Sequence, residues 1–282
     1  MKCKIIHETE YTFTSDVFLE PHYLRFEPQK TPYQSIEEFK LEILPQPAGI
    51  TNLTDEDGNL VYFCWFDGTT KFLRIKAESI TELQPYNPFN FIIHPMDCQK
   101  VPFEYPKGIC ERLKNALAYK SFSIELTKYT EGILEKSGSQ TIDFIVELTR
   151  QIHSDFVVES RLEGPPHLPS ETFRLKKGSC RDLAWMELAM FRSLGIATRF
   201  TSGYYFFDAE NPEFELHAWV EVYLPGAGWV GLDPSHGMVT GNSHIKVASS
   251  TDFENTMPVT GTVRGKAKGN LETNVHIETF LK

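Results

Sequence analysis

The spacing of apolar and polar positions changes character along this 282-residue chain, from short alternating runs to helical periods and back to alternation. From residue 1 to about 85, aromatic and β-branched residues come in short runs separated by turn dipeptides, the pattern of strands. Asp57-Gly58 and Asp67-Gly68 read as hairpin turns on either side of YFCWF. Pro21, Pro28, Pro32, Pro45 and Pro47 cut the earlier stretch into short pieces, as in sandwiches and open barrels. Prolines then recur every few residues over 85–106, which prevents regular helix and marks a connection. The expected organisation is α+β, with an N-terminal antiparallel β domain over 1–90 and a second, mixed domain over 91–282.

Helical periods begin after the connection. Ile109 to Tyr119 reads as a short helix, and Ile142, Ile145, Val146, Thr149, Ile152 and Phe156 mark a second, with Thr141 as its expected cap. His153, beside that stripe, reads as structural. A third helix follows the sequence GSC. Leu183, Ala184, Trp185, Met186, Leu188, Ala189, Met190, Phe191 and Leu194 leave it almost no polar face, so it should be surrounded by other elements, and Gly195 stops it. Alternation then returns. Arg199 to Phe207 is a strand with Gly203 as a bulge, and FELHAWVEVYL puts His217, Trp219, Glu221 and Tyr223 on one face. PGAG turns the chain into WVGLDP, the partner strand.

Composition narrows the function classes. Lys plus Arg is 28 and Asp plus Glu is 38, a net charge of −10 without a basic block, so nucleic acid and anionic membrane are not expected partners. The first residues, MKCKIIHETEYTF, lack the apolar core of a signal peptide, and no run has the length of a membrane span. Five cysteines, an odd number at irregular spacing, suit a reducing, cytoplasmic setting and no disulfide framework. CxxC pairs are absent, and no spacing among His217, His236, His244 and Asp233 matches a known ligand set, so metal hydrolysis is disfavoured. Asp55, Asp57 and Asn59 do not complete a calcium loop, because Gly58 is misplaced and no Glu closes it.

The chemistry centres on Cys180. Ser179 and Asp182 stand three apart before the apolar run, the spacing of a reciprocal helix cap, so Cys180 falls in the first helical turn. There the helix dipole and unpaired N–H groups favour a thiolate. A buried cysteine is often inert, and a nucleophile needs a base whose ring is held by a third group. His217 and Asp233 are the candidates. If Leu224 pairs with Gly228, a three-residue loop results and Asp233 lies diagonal to His217 on the same face; pairing Leu224 with Trp229 would send Asp233 to the other side.

The residues that carry this chemistry also carry a resemblance. GSCRDLA, FRSLGIATRFTSGY, HAWVEVYLPGAGWVGLDPSHG and, more weakly, HIKVASSTDFENTMPVTGTVRG resemble the core of the transglutaminase-like superfamily, which is papain-like in fold. YLRFEP and the strands after it are similar to the β domain that precedes the core in bacterial members. The resemblance implies Cys180 as nucleophile, His217 as general acid and base, and Asp233 as the orienting group. It implies acyl transfer or hydrolysis at a peptide or protein amide through a thioester, with water or a primary amine as acceptor and no metal or other cofactor. Arg181 stands where bacterial relatives often have glutamine and Trp185 where many have histidine, while SSTDF replaces a glycine-arginine-aspartate-aromatic segment; these bear on substrate preference. The alternative expectation is a non-catalytic binding module on the same fold, for which an exposed aromatic patch in YFCWF would speak.

Overall fold

The computed structural model describes residues 1–119, 123–161, 164–206, 214 and 216–280. It is α+β, and its sheets are antiparallel apart from one two-stranded pair, Val157–Val158 with Lys177–Gly178. The first sheet is built on Lys2–Leu19, whose alternate residues Cys3, Ile5, His7 and Thr9 are buried. Thr70–Leu83 lies along one side of it, with Gln34–Leu44 beyond. A smaller sheet of Val259–Thr260, His22–Leu24, Leu60–Trp65 and Gly49–Thr54 packs against it around Leu19, Leu24, Phe26, Cys64, Leu73 and Ile75.

The other side of Lys2–Leu19 is taken by the end of the chain. Gly269–Phe280 pairs with it from Lys2↔Phe280 to Phe13↔Gly269, so the boundary expected at residue 90 is crossed by the last strand. Strand alternation shows that a segment has two faces, but it does not say which sheet the segment joins. The two Asp-Gly turns differ for the same reason. Asp57-Gly58 closes the hairpin between Gly49–Thr54 and Leu60–Trp65, whereas Asp67-Gly68 carries the chain from the smaller sheet to the larger one.

In the second half a five-stranded sheet runs in the order Met238–Val239, Gly228–Asp233, Leu216–Leu224, Thr198–Tyr205, His244–Ser250. Helix Cys180–Ser193 packs on it, covered by Ile124–Lys136 and Thr141–Asp155. Even the polar Asp182, Glu187 and Arg192 of the cysteine helix are buried, as its lack of a polar face predicts. Its end is a left-handed Gly195 at φ 74°, with the Ile196 N–H reaching back to the Phe191 carbonyl. The Phe207 end of the expected strand and Glu215 lie outside the described residues.

Some local expectations change. The short helix is two pieces, Lys107–Arg112 and Lys114–Leu117, while Ile124–Lys136 and Pro169–Leu175 are helices that the periodicity did not reveal. Thr141 does not cap its helix; its hydroxyl donates to the Cys98 carbonyl and fastens the proline-rich connection. Gly203 is not the bulge. The register shift lies on the neighbouring strand between Lys246 and Ala248, and Gly203 is a close approach, where a Cβ would meet the Ile245 carbonyl oxygen at 2.1 Å. No helix among the described residues is long and apolar enough to cross a membrane.

The two halves share a core. Cys3, Ile5, Val275 and Ile277 of the first sheet meet Tyr204, Phe206, Ile245 and Val247 of the second. Burying each such aliphatic side chain contributes about 1.5–3 kcal/mol, enough to hold the halves together as a unit.

Candidate active site

Cys180 is the first residue of its helix, after Ser179 in extended conformation. Asp182 accepts from both the Ser179 N–H and its hydroxyl, each at 2.7 Å, and fixes the turn that presents the cysteine. It also accepts from Arg161 at 2.5 Å and from the His167 N–H at 2.7 Å, tying both residues to the helix start. Burial pushes the Asp182 carboxyl up, but these donors outweigh it and hold it below the usual range. Gly178 is required beside it, because a Cβ there would stand 2.7 Å from that of Asp182. Arg181 donates to the Gly164 and Arg161 carbonyls, so this departure from relatives pins the same segment.

The histidine strand and its partner meet in the register Leu224↔Gly228, Val222↔Val230, Val220↔Leu232. Gly226 at φ 93° and Gly228 at φ 79° let the three-residue loop close. The consequence is contact between His217 and Asp233, with Nε2 of the ring 2.8 Å from Oδ2 of the carboxylate. Cys180 and His217 line the same cavity, and the Cys180 side chain lies near enough to the ring to favour its charged form. With Nε2 committed to Asp233, Nδ1 is the ring nitrogen left for the sulfur. Sulfur, imidazole and carboxylate therefore stand in series.

Asp233 is fully buried and has more partners than the sequence suggests. Its Oδ2 also meets His236 Nδ1 at 2.8 Å and His244 Nε2 at 3.0 Å, while Oδ1 accepts from the Ser235 N–H at 2.9 Å. Burial disfavours the carboxylate, but the His217 charge and these donors reverse that and hold it well below its ordinary value. Burial likewise disfavours charge on His217, and the Asp233 carboxylate overcomes it, raising the ring to about 10. His244 is lowered, because its burial outweighs its share of the same carboxylate. His153, off this site on its helix, holds the Ser235 carbonyl at 2.8 Å and so supports the turn after Asp233, a structural task.

His217, Asp233 and His236 place potential ligand atoms within 4.8 Å of one another, a grouping that sequence spacing did not reveal. Their nitrogens and the carboxylate oxygen already satisfy each other. In the Asp55 turn, Oδ1 accepts from the Asp57 and Asn59 N–H groups and Oδ2 from the Asn59 amide, so that carboxylate is spent on closing a hairpin.

Glu187, two turns along the cysteine helix, escaped the sequence reading. It is fully buried, and burial together with the nearby Asp233 charge raises it well above its ordinary value despite the Thr149 hydroxyl. Thr149 has one hydrogen and two oxygen neighbours, the Ile145 carbonyl at 2.8 Å and Glu187 at 2.6 Å. A neutral Glu187 that donates to Thr149 satisfies both. Also missed were His7, Thr9 and Tyr11 of the first strand and Leu271 and Thr273 of the last, which line the cavity in front of Cys180 and His217. Nothing local in their sequence points to a site so far along the chain. Trp185 packs edge-on against Phe200 and Phe253, and Phe253, from the SSTDF departure, forms part of that cavity's wall.

Comparison with known proteins identifies the fold and the family. An uncharacterised protein of Mycobacterium tuberculosis is 24% identical over 297 aligned residues, covering 98% of this chain and 92% of that protein. An uncharacterised protein of Mycobacterium leprae is 21% identical, covering 98% of each. The crystal structure of a candidate cysteine protease from Cytophaga hutchinsonii superposes with a TM-score of 0.71 at 20% identity, over 100% of this chain and 92% of that one, which establishes a shared fold. Residues 3–82 match the bacterial transglutaminase-like N-terminal region, and residues 127–234, which include Cys180, His217 and Asp233, match the transglutaminase-like superfamily core. The chain thus belongs to the transglutaminase-like superfamily and carries the N-terminal region of its bacterial members.

Proposed function

We propose that this protein breaks an amide bond of a peptide or protein through a thioester on Cys180 and passes the acyl group to water or a primary amine. The observation that carries the proposal is the single ring of His217, engaged with Cys180 on one side and Asp233 on the other. Asp233 fixes the ring and favours its protonated form, so the proton of the thiol can rest on His217 while the sulfur stays anionic. The thiolate attacks the carbonyl carbon, and a sulfur–carbon bond forms as the carbonyl oxygen becomes an oxyanion. The Cys180 N–H at the helix start is placed to donate to it. Collapse breaks the carbon–nitrogen bond, and His217 gives its proton to the departing amine. Water or an amine then attacks the thioester, losing its proton to His217 and restoring the thiol.

Alkylation tests the assignment. Cys3 and Cys64 are buried, with burial pushing each thiol up to about 11, but Cys110 is exposed and will react. Labelling by iodoacetamide at neutral pH is therefore followed site by site in a Cys110→Ser background. Cys180 should be modified fastest, and Asp233→Asn should slow it. A Cys180 no more reactive than Cys110 of the unaltered protein would remove the basis for the proposal. That outcome would favour a binding module on the same fold, for which Tyr23, Phe63 and Trp65 offer an aromatic row on the smaller sheet.

A further inference from the structure

The cavity in front of Cys180 and His217 is built by both halves of the chain, and its shape bears on what the enzyme accepts. Its volume is about 140 Å³. An apolar cavity of about 150 Å³ admits benzene, so the space suits one ring or one branched aliphatic side chain. On the core side it is walled by Phe200, Phe253 and Met257. On the other side, Thr9 stands opposite Thr273 and Tyr11 opposite Leu271 on adjoining strands, alternate residues that share one face of the first sheet. The first sheet, which supplies no member of the triad, thus closes the space over the sulfur.

Polar groups in this wall are already satisfied within the protein. His7 Nδ1 pairs with the Tyr204 hydroxyl at 3.0 Å, and its Nε2 has Thr273 Oγ1 at 3.1 Å and Thr9 Oγ1 at 3.3 Å. Ser202 donates to the Thr256 carbonyl at 2.7 Å. Burial lowers His7 to about 4, so the ring is neutral and brings no charge to the wall. Arg181, which also reaches the lining, donates to the Gly164 and Arg161 carbonyls, so a ligand group here meets mostly carbon, and a cationic or strongly polar neutral group would lose water without finding a partner.

We infer that this cavity is a subsite for an apolar acyl group, so that the bond cleaved follows a branched aliphatic or aromatic residue. The inference rests on the acyl-transfer reading and adds a substrate class to it. The acyl side is the occupant because it stays bonded to Cys180 through both half-reactions. The departing amine and the incoming water or amine must exchange with solvent, which a half-enclosed apolar space disfavours. Both domains are then needed for selectivity, the core for chemistry and the first sheet for the fit of the side chain.

Activated p-nitrophenyl esters test this on the full-length chain, since the leaving group is constant while the acyl group varies. Each transfers its acyl group to the Cys180 sulfur with loss of p-nitrophenol, and intact mass locates the adduct. Each buried methylene should raise the acylation rate about fourfold, so isovaleryl should exceed acetyl on the order of fifty-fold. A β-alanyl ester, of similar length but charged, should do no better than acetyl. Leu271→Trp should bring the isovaleryl-to-acetyl ratio toward one, while Leu271→Ala should move the optimum to the larger phenylacetyl group. Equal rates for acetyl and isovaleryl, or a ratio unmoved by both variants, would overturn the subsite and leave the chemistry standing. If no ester adds a mass that Cys180→Ala removes, the acyl-transfer reading and the subsite fall together.

Discussion

Two buried carboxylates of the same sheet, Asp233 and Glu221, look alike in burial and differ in what surrounds them. Glu221 accepts from Arg199 at 2.7 Å and from Lys246 at 2.8 and 3.0 Å, cations whose purpose is to neutralise it. Burial would raise Glu221, but these charges hold it down to about 2, and Arg199 also lies 4.2 Å over the ring of Trp229. Asp233 instead meets three imidazoles, and one of them has a second partner that is a thiol. Trp219, fully buried between His217 and Glu221 on the same strand face, keeps the two clusters apart. A buried charge cluster is thus no sign of chemistry by itself. What separates the two is a titratable partner turned toward a thiol and a cavity.

The largest effect should come from neutralising each carboxylate in turn. Asp233→Asn should lower acylation of Cys180 by about 10³–10⁴-fold, the scale seen when an orienting carboxylate loses its charge and the histidine its correct tautomer. Its measure is the single-turnover rate with an activated ester. Glu221→Gln should leave that rate, per folded molecule, within a few-fold. It should cost about 3–5 kcal/mol of stability in denaturant titrations, because two buried cations lose their partner. Equal losses of rate in both variants would break the comparison.

A smaller effect lies in the pH dependence. In a Cys180→Ala background, where no thiol can supply the proton, the rise of His217 above 6.5 on folding means that folding takes up a proton from solution. The stability it contributes is fully present below about pH 6.5 and is lost as pH climbs toward 10. Asp233, lowered on folding, contributes above its unfolded value of 3.8 and loses that as pH falls through its folded value. The melting temperature should therefore decline from pH 6.5 to 10, on the scale of about 2–4 °C per kcal/mol, and Asp233→Asn should flatten that decline. A Glu221→Gln variant should keep it.

The smallest change is expected at Glu187. A neutral acid replaced by an amide of the same shape loses no charge, so Glu187→Gln should shift stability by less than about 1 kcal/mol. A large loss would mean that the carboxyl is ionised beneath Asp233. With the small loss expected, the three carboxylates form a series in which burial alone gives neutrality, cations give a fixed charge, and imidazoles give a charge coupled to a sulfur.

What the sequence determined by itself is the set of elements whose cause is local. The cysteine helix was legible because apolar residues surround it on every side and Ser179, Asp182 and Gly195 mark its ends. The position of His217 against Asp233 was legible as a choice between two registers, because a hairpin of known loop length fixes which residues face each other. Tertiary structure decided the rest. Short-range patterning carries no information about partners far along the chain, so it did not show Gly269–Phe280 returning to the first strand or Tyr11 and Leu271 facing Cys180. It also did not show that His236 and His244 would share the carboxylate of Asp233, or that Glu187 would lie where water cannot reach it. Those facts follow from which faces the packed sheets and helices bury together, and burial sets both the charge of these groups and the space a substrate can enter.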